Sequence, residues 1–138
     1  MRPAQTRALV EVLHEIRSTG ATKRLKDVLT ADFICHMPRG WKSPDVVGPD
    51  GMAQAILDHR KAFPDWTEVV LDLIVEGDRA ASRFMATAMH LGPFLGLPAT
   101  GRFVQIDEMA MFRLDGGRIA EQWFLSDDRA LEDQLAAR

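Results

Sequence analysis

Phe112-Arg113-Leu114-Asp115-Gly116-Gly117-Arg118-Ile119-Ala120-Glu121-Gln122-Trp123 reads as two strands joined by a tight turn. An Asp-Gly step between runs of high β-propensity is a strong hairpin signal. Upstream, Phe103 to Leu114 supplies the first strand of that hairpin, and Arg118 to Ser126 supplies the second. Further upstream, Trp66 to Glu76 and Arg79 to His90 flank a Gly77-Asp78 turn and form another strand pair. Val69, Leu71, Leu73 and Val75 alternate with Val70, Asp72 and Ile74, so this strand is expected to be buried on much of both faces. Residues 90–102 are a Gly/Pro-rich connection.

The first half reads differently. Leu9, Val12, Leu13 and Ile16 recur at helical spacing and predict a helix over 4–18, with Gly20 as its stop. Thr22 to Leu29 predicts a shorter helix, and Phe33 to Met37 a short strand. Residues 38–49 hold Pro38, Gly40, Pro44, Gly48 and Pro49 and read as a loop, a candidate pocket wall with Trp41 inside it. Asp50 reads as an N-cap for a helix carrying Met52, Ile56, His59 and Phe63 on one face. A last helix starts near Asp127 or Asp128, with Leu131 and Leu135 turned inward. Helices followed by a run of antiparallel strands predict an α+β fold. A curved, largely antiparallel sheet packed on the N-terminal helices can curl into a cone-shaped α+β barrel with a ligand site in its hollow. Residues 1–138 are expected to be one domain.

Composition narrows the function classes. The chain has 46% hydrophobic and 27% charged residues and a net charge of −3, with no basic stripe for nucleic acid. Cys35 is the single cysteine, which excludes an internal disulfide and fits a reducing compartment. No apolar run reaches the roughly 18 residues of a membrane helix, and the N-terminus lacks an apolar signal core. A cytoplasmic location is the expectation. His36, His59 and His90 lack metal-ligand spacing, so no metal site is expected.

The ordered set Ala62-Phe63-Pro64-Asp65-Trp66, Val75-Glu76-Gly77-Asp78-Arg79, His90-Leu91-Gly92-Pro93-Phe94-Leu95-Gly96, Pro98-Ala99-Thr100-Gly101-Arg102, residues 112–123 and Asp127 resembles the SnoaL-like polyketide cyclase family of the nuclear-transport-factor-2-like superfamily. The resemblance spans about residues 5–136. It implies a cone, commonly dimeric, working without a cofactor. Cyclases of this family close a ring by intramolecular aldol condensation of a polyketide ester. An acid just after the Glu-x-Trp strand serves as acid/base there, and its match is Asp127. The same fold hosts epoxide hydrolases, isomerases and non-catalytic binding domains, so fold alone leaves function open.

Asp127 follows Trp123 and Leu125 by period two, which would set its carboxyl beside apolar walls; alternatively, Asp127 or Asp128 caps the last helix. His90, at a strand end, and His36, on the first strand, are candidates to polarise a carbonyl or relay a proton. His59 reads as a satisfied interior histidine. Trp41, Phe63, Trp66, Met109 and Trp123 are candidate walls for a small hydrophobic carbonyl-containing substrate. Asp107 and Glu108 stand where small or apolar residues are expected, and they face opposite ways on one strand. If Asp107 faced inward, an Asp107–Arg–Asp127 arrangement would suggest water activation on an epoxide. No tyrosine is present to act as a phenol donor.

Overall fold

The computed structural model describes residues 1–136. Helix α1 (Pro3–Thr19) begins with Pro at its first turn, where no N–H is needed, and ends at Gly20 in the left-handed region. A 3-10 turn (Thr22–Arg24) and a single helical turn, α2 (Leu25–Val28), replace the continuous second helix expected. Strand β1 (Leu29–His36) starts four residues earlier than its apolar core suggested.

The 38–49 loop is shorter than expected. It contains a 3-10 turn (Arg39–Trp41) and a two-residue strand, β2 (Val46–Val47). Helix α3 (Gly48–Ala62) starts before Asp50: Val47 is its N-cap, and Asp50 sits in the first turn, where its charge favours the helix dipole. Strands β3 (Thr67–Glu76), β4 (Arg79–Met89), β5 (Phe103–Asp115) and β6 (Arg118–Ser126) follow, then α4 (Asp128–Ala136).

The six strands form one curved, unclosed sheet in the order β2-β1-β6-β5-β4-β3. All neighbours pair antiparallel except β1 and β6, which run parallel. The chain is α+β, as the sequence indicated.

On β5, Val104, Ile106, Glu108, Ala110, Phe112 and Leu114 are buried. Phe103, Met109 and Met111 on the opposite face are exposed. One apolar cluster joins α1, α2, β1 and α3 to the far half of the sheet, including Val10, Leu13, Phe33 and Phe112. A second joins Phe63, Trp66, Val104 and Ile106 to Leu131 and Leu135 of α4.

Strand β3 departs from its expected two-sided burial. A register shift between Val70 and Asp72 leaves Leu71 as an extra residue. Val70, Leu73 and Val75 pack inward, while Val69, Leu71 and Ile74 are exposed in the single chain.

Candidate active site

Between the inner sheet face and helices α1, α3 and α4 lies a cavity of about 540 Å³. That volume falls within the ordinary range for small-molecule sites. Met52 and Ile56 of α3, Ile106 of β5 and Phe124 of β6 give it apolar walls. Trp41 and Asp128 also line it, joined by a 2.6 Å hydrogen bond from the Trp41 indole N–H to Asp128 Oδ2. Trp41 packs edge-on against Phe124 at 5.3 Å and keeps 41% of its surface exposed, so it borders the opening.

Glu108 is a buried acid on the cavity wall. The alternation that buries Ile106 and Ala110 turns its side chain inward from the middle of β5. It is 5% exposed, lines the cavity, and its Oε2 has no hydrogen-bond partner. Burial pushes this carboxyl up, and the negative charge of Glu68 adds to the rise. Arg17 and the Ser126 hydroxyl oppose it, and the result is a pKa of about 7. A carboxyl with that pKa exchanges protons readily at neutral pH.

His59 lines the same cavity, with its Nε2 buried and unpartnered rather than satisfied. It packs edge-on against Trp66 at 4.3 Å. Burial, helped by the positive charge of Arg17, lowers it to about 4, so the imidazole is neutral at pH 7.

A buried polar network supports this wall. Glu68, at the start of β3, accepts from Arg17 Nε at 2.8 Å and from the Trp66 indole N–H at 2.8 Å. His14 Nδ1 bonds its other oxygen at 2.7 Å. Burial alone would raise Glu68, but Arg17 and His14 outweigh it and hold the carboxylate at about 2. His14 Nε2 meets Ser82 Oγ at 3.0 Å, which completes a Ser-His-Glu chain. Ser82 is 1% exposed and is not on the cavity wall, so no substrate reaches that hydroxyl as a nucleophile.

The residues singled out in the sequence are spread over three places. Trp41 and Trp66 line the cavity. Phe63 and His90 lie in the interior outside its walls. His90 Nδ1 is engaged by Thr100, accepting its backbone N–H at 3.2 Å, which ties down the 90–102 connection. His36, Met109 and Trp123 lie on the other face of the sheet: Met109 is 58% exposed, and His36 stacks on Trp123 at 5.2 Å. His36 bonds Glu121 at 2.6 Å and Asp45 at 3.1 Å. The bond to Glu121 raises its pKa.

Asp127 is exposed and caps α4, with its Oδ1 accepting from the Ala130 N–H at 3.1 Å. The last inward positions of β6 are Gln122, Phe124 and Ser126, which puts Trp123 and Leu125 on the outer face. Asp128, the first residue of α4, lines the cavity, and Asp127 does not. Asp107 is exposed as well, so the Asp107–Arg–Asp127 arrangement does not form. Among the described residues, no group of three His, Cys, Asp or Glu side chains is placed to hold a metal ion. Glu108 was legible in principle, because the even positions from Val104 to Leu114 are otherwise apolar. Arg17 and Glu68 carried no local signal, since their meeting depends on how α1 crosses β3.

The fold and the site define a class: an α+β cone with an apolar interior cavity and a buried carboxyl on its wall. The family model for SnoaL-like polyketide cyclases matches residues 7–135, and the chain belongs to that family. TsrD from Streptomyces laurentii is 28% identical, with TM-score 0.87, over 100% of this chain and 99% of its own. IdmH from Streptomyces antibioticus, named as a candidate polyketide cyclase, is 28% identical with TM-score 0.83, over 94% and 97% of the two chains. AclR from Streptomyces galilaeus, named as a candidate hydroxylase, is 25% identical with TM-score 0.83, over 97% of both. No curated protein sequence matches the chain.

Proposed function

We propose that the chain is a cyclase-type enzyme that carries out acid–base chemistry on a hydrophobic carbonyl compound, with Glu108 moving the proton. The observation that carries this reading is a buried, unpartnered carboxyl oxygen on the wall of an apolar cavity, in a group with a pKa of about 7.

The ionised Glu108 takes a proton from carbon next to a carbonyl. The C–H electron pair becomes the enolate, with its charge on oxygen. The enolate carbon then attacks a second carbonyl of the same molecule and forms the C–C bond. Glu108 returns its proton to the new alkoxide. No cofactor is required by this sequence of steps. His59, neutral at pH 7, offers Nε2 as a hydrogen-bond partner for substrate oxygen. Trp41 and Trp66 provide apolar surface. Asp127, His90 and His36 have no part in these steps.

Residues 1–138 act as one domain in this reading, in the cytoplasm, where the buried thiol of Cys35 stays reduced. A second copy of the chain covers the apolar outer sheet face, on which Phe103, Met109, Met111 and Leu125 are exposed. Among the described residues, no helix is long and apolar enough to cross a membrane.

Deuterium uptake from D2O at the α-carbon of 2-acetylnaphthalene tests the proton transfer directly. Glu108→Gln is expected to lower the rate by about 10²–10⁴-fold. An unchanged rate in folded Glu108→Gln protein would sink the proposal.

A further inference from the structure

We propose that Arg17 is the oxyanion-binding residue of this site, its free N–H groups holding both oxygens of an enolised 1,3-dicarbonyl unit. The inference rests on the acid–base reading of Glu108.

Two arginines line the cavity. Arg60 is consumed by the backbone, donating to the carbonyls of Arg17 at 3.1 Å, Trp66 at 3.0 Å and Pro64 at 2.6 Å. Arg17 is not. Its guanidinium bonds one side chain, Glu68, through Nε, and no other described residue accepts from it. A fifth of the side chain, 21%, stays accessible. A guanidinium carries five N–H donors in a rigid plane, so donors remain after Nε is engaged.

Arg17 is also held in place. Its own carbonyl accepts from Arg60, and the next residue, Ser18, accepts the backbone N–H of Glu68 at 2.9 Å. Glu68 is fixed in turn by His14 and Trp66. Donors that need no reorganisation when charge develops are the ones that stabilise a transition state.

The chemistry assigns the two groups different work. Glu108 exchanges a proton, whereas Arg17 stays charged and can only donate. When Glu108 removes the proton, the negative charge it gives up reappears on substrate oxygen. At Glu108 the charge of Glu68 outweighs that of Arg17, so the stabilisation comes from direct hydrogen bonds of the remaining guanidinium N–H groups to that oxygen. A planar fork matches two coplanar oxygens better than one. This favours a 1,3-dicarbonyl over a simple ketone.

The test uses 1-phenylbutane-1,3-dione as a probe, because its enolate and neutral forms differ in ultraviolet absorbance. Arg17→Met alone would leave the buried Glu68 carboxylate without its permanent cation, so the two are replaced together as Arg17→Met/Glu68→Gln. The measurement is made in the Glu108→Gln background, which removes the Glu108 charge from the wall, while Asp128 and Glu132 stay the same in both proteins compared. The bound probe is expected to ionise about 1–2 pH units lower than in water in Glu108→Gln. That shift is expected to vanish when Arg17→Met/Glu68→Gln is added. An equal shift in both proteins, or none in Glu108→Gln, overturns the role of Arg17. Neither result depends on Glu108 turnover, so a failure of the acid–base reading shows separately, in the deuterium-uptake rates.

Discussion

Asp127 and Asp128 are neighbours with opposite environments. The first bonds the α4 backbone from solvent; the second reaches back to Trp41 at the cavity. Asp127→Ala is therefore expected to cost about 1 kcal/mol of stability, as loss of an N-cap does, and to leave turnover intact. Thermal unfolding and deuterium uptake check the two halves of that statement.

Glu108 has the reverse signature. Its folded pKa of about 7 lies above an ordinary carboxyl value of 4.5, so between those values the folded chain binds the extra proton. Stability from this group is full below pH 4.5 and falls as pH rises through about 7. Glu108→Gln removes that loss. It should stabilise the protein by up to about 3 kcal/mol at pH 8 and change little at pH 4. Denaturant titrations at the two pH values measure the difference. Glu68 runs the other way, since its carboxylate is held at about 2. Its contribution is present above pH 4.5 and is lost as pH falls toward 2.

Elements carry the site more than their own sequences suggest. Strand and helix positions were legible because apolar residues recur at the right period, as at Leu9, Val12, Leu13 and Ile16 or along β5. The bulge at Leu71 was not, because an extra residue in one strand leaves no mark on the apolar pattern around it. The site was only partly legible for a related reason. Trp41 and Trp66 stood out as large apolar residues, whereas Arg17 is brought to the cavity wall only where α1 lies across β3 and meets Glu68.

The 90–102 connection shows the same dependence. Gly92 packs so closely on α3 that an added Cβ would sit 2.2 Å from the Lys61 carbonyl oxygen. The N–H groups of Leu91 and Gly92 both donate to the Ala62 carbonyl. Gly92→Ala is expected to cost about 1–3 kcal/mol, because the neighbouring backbone has to move. Leu95, a wall residue on the same connection, would be displaced with it, so ligand affinity should fall as well. Chemical denaturation and ligand titration check both. Ser82→Ala should cost about 1–3 kcal/mol by leaving His14 Nε2 without its partner. Turnover that vanished in this variant while the fold persisted would contradict the purely structural role of Ser82.

At the scale of the whole molecule, the sheet separates two kinds of apolar surface. The inner face closes around the cavity. The outer face exposes Phe103, Met109, Met111 and Leu125. Sedimentation of the wild-type protein should report a dimer, and Leu125→Lys/Met109→Lys should shift it to monomer. A wild-type monomer at all concentrations would contradict the covered face. The central claim is more local: the fold keeps one carboxyl dry and close to neutrality. The most direct test is a carbon-13 NMR titration of the glutamate carboxyl groups, with Glu108 assigned by its absence in Glu108→Gln. The account predicts a midpoint near 7 for that signal. A midpoint near the ordinary value of 4.5 would mean that water reaches Glu108 freely, and it would contradict the account.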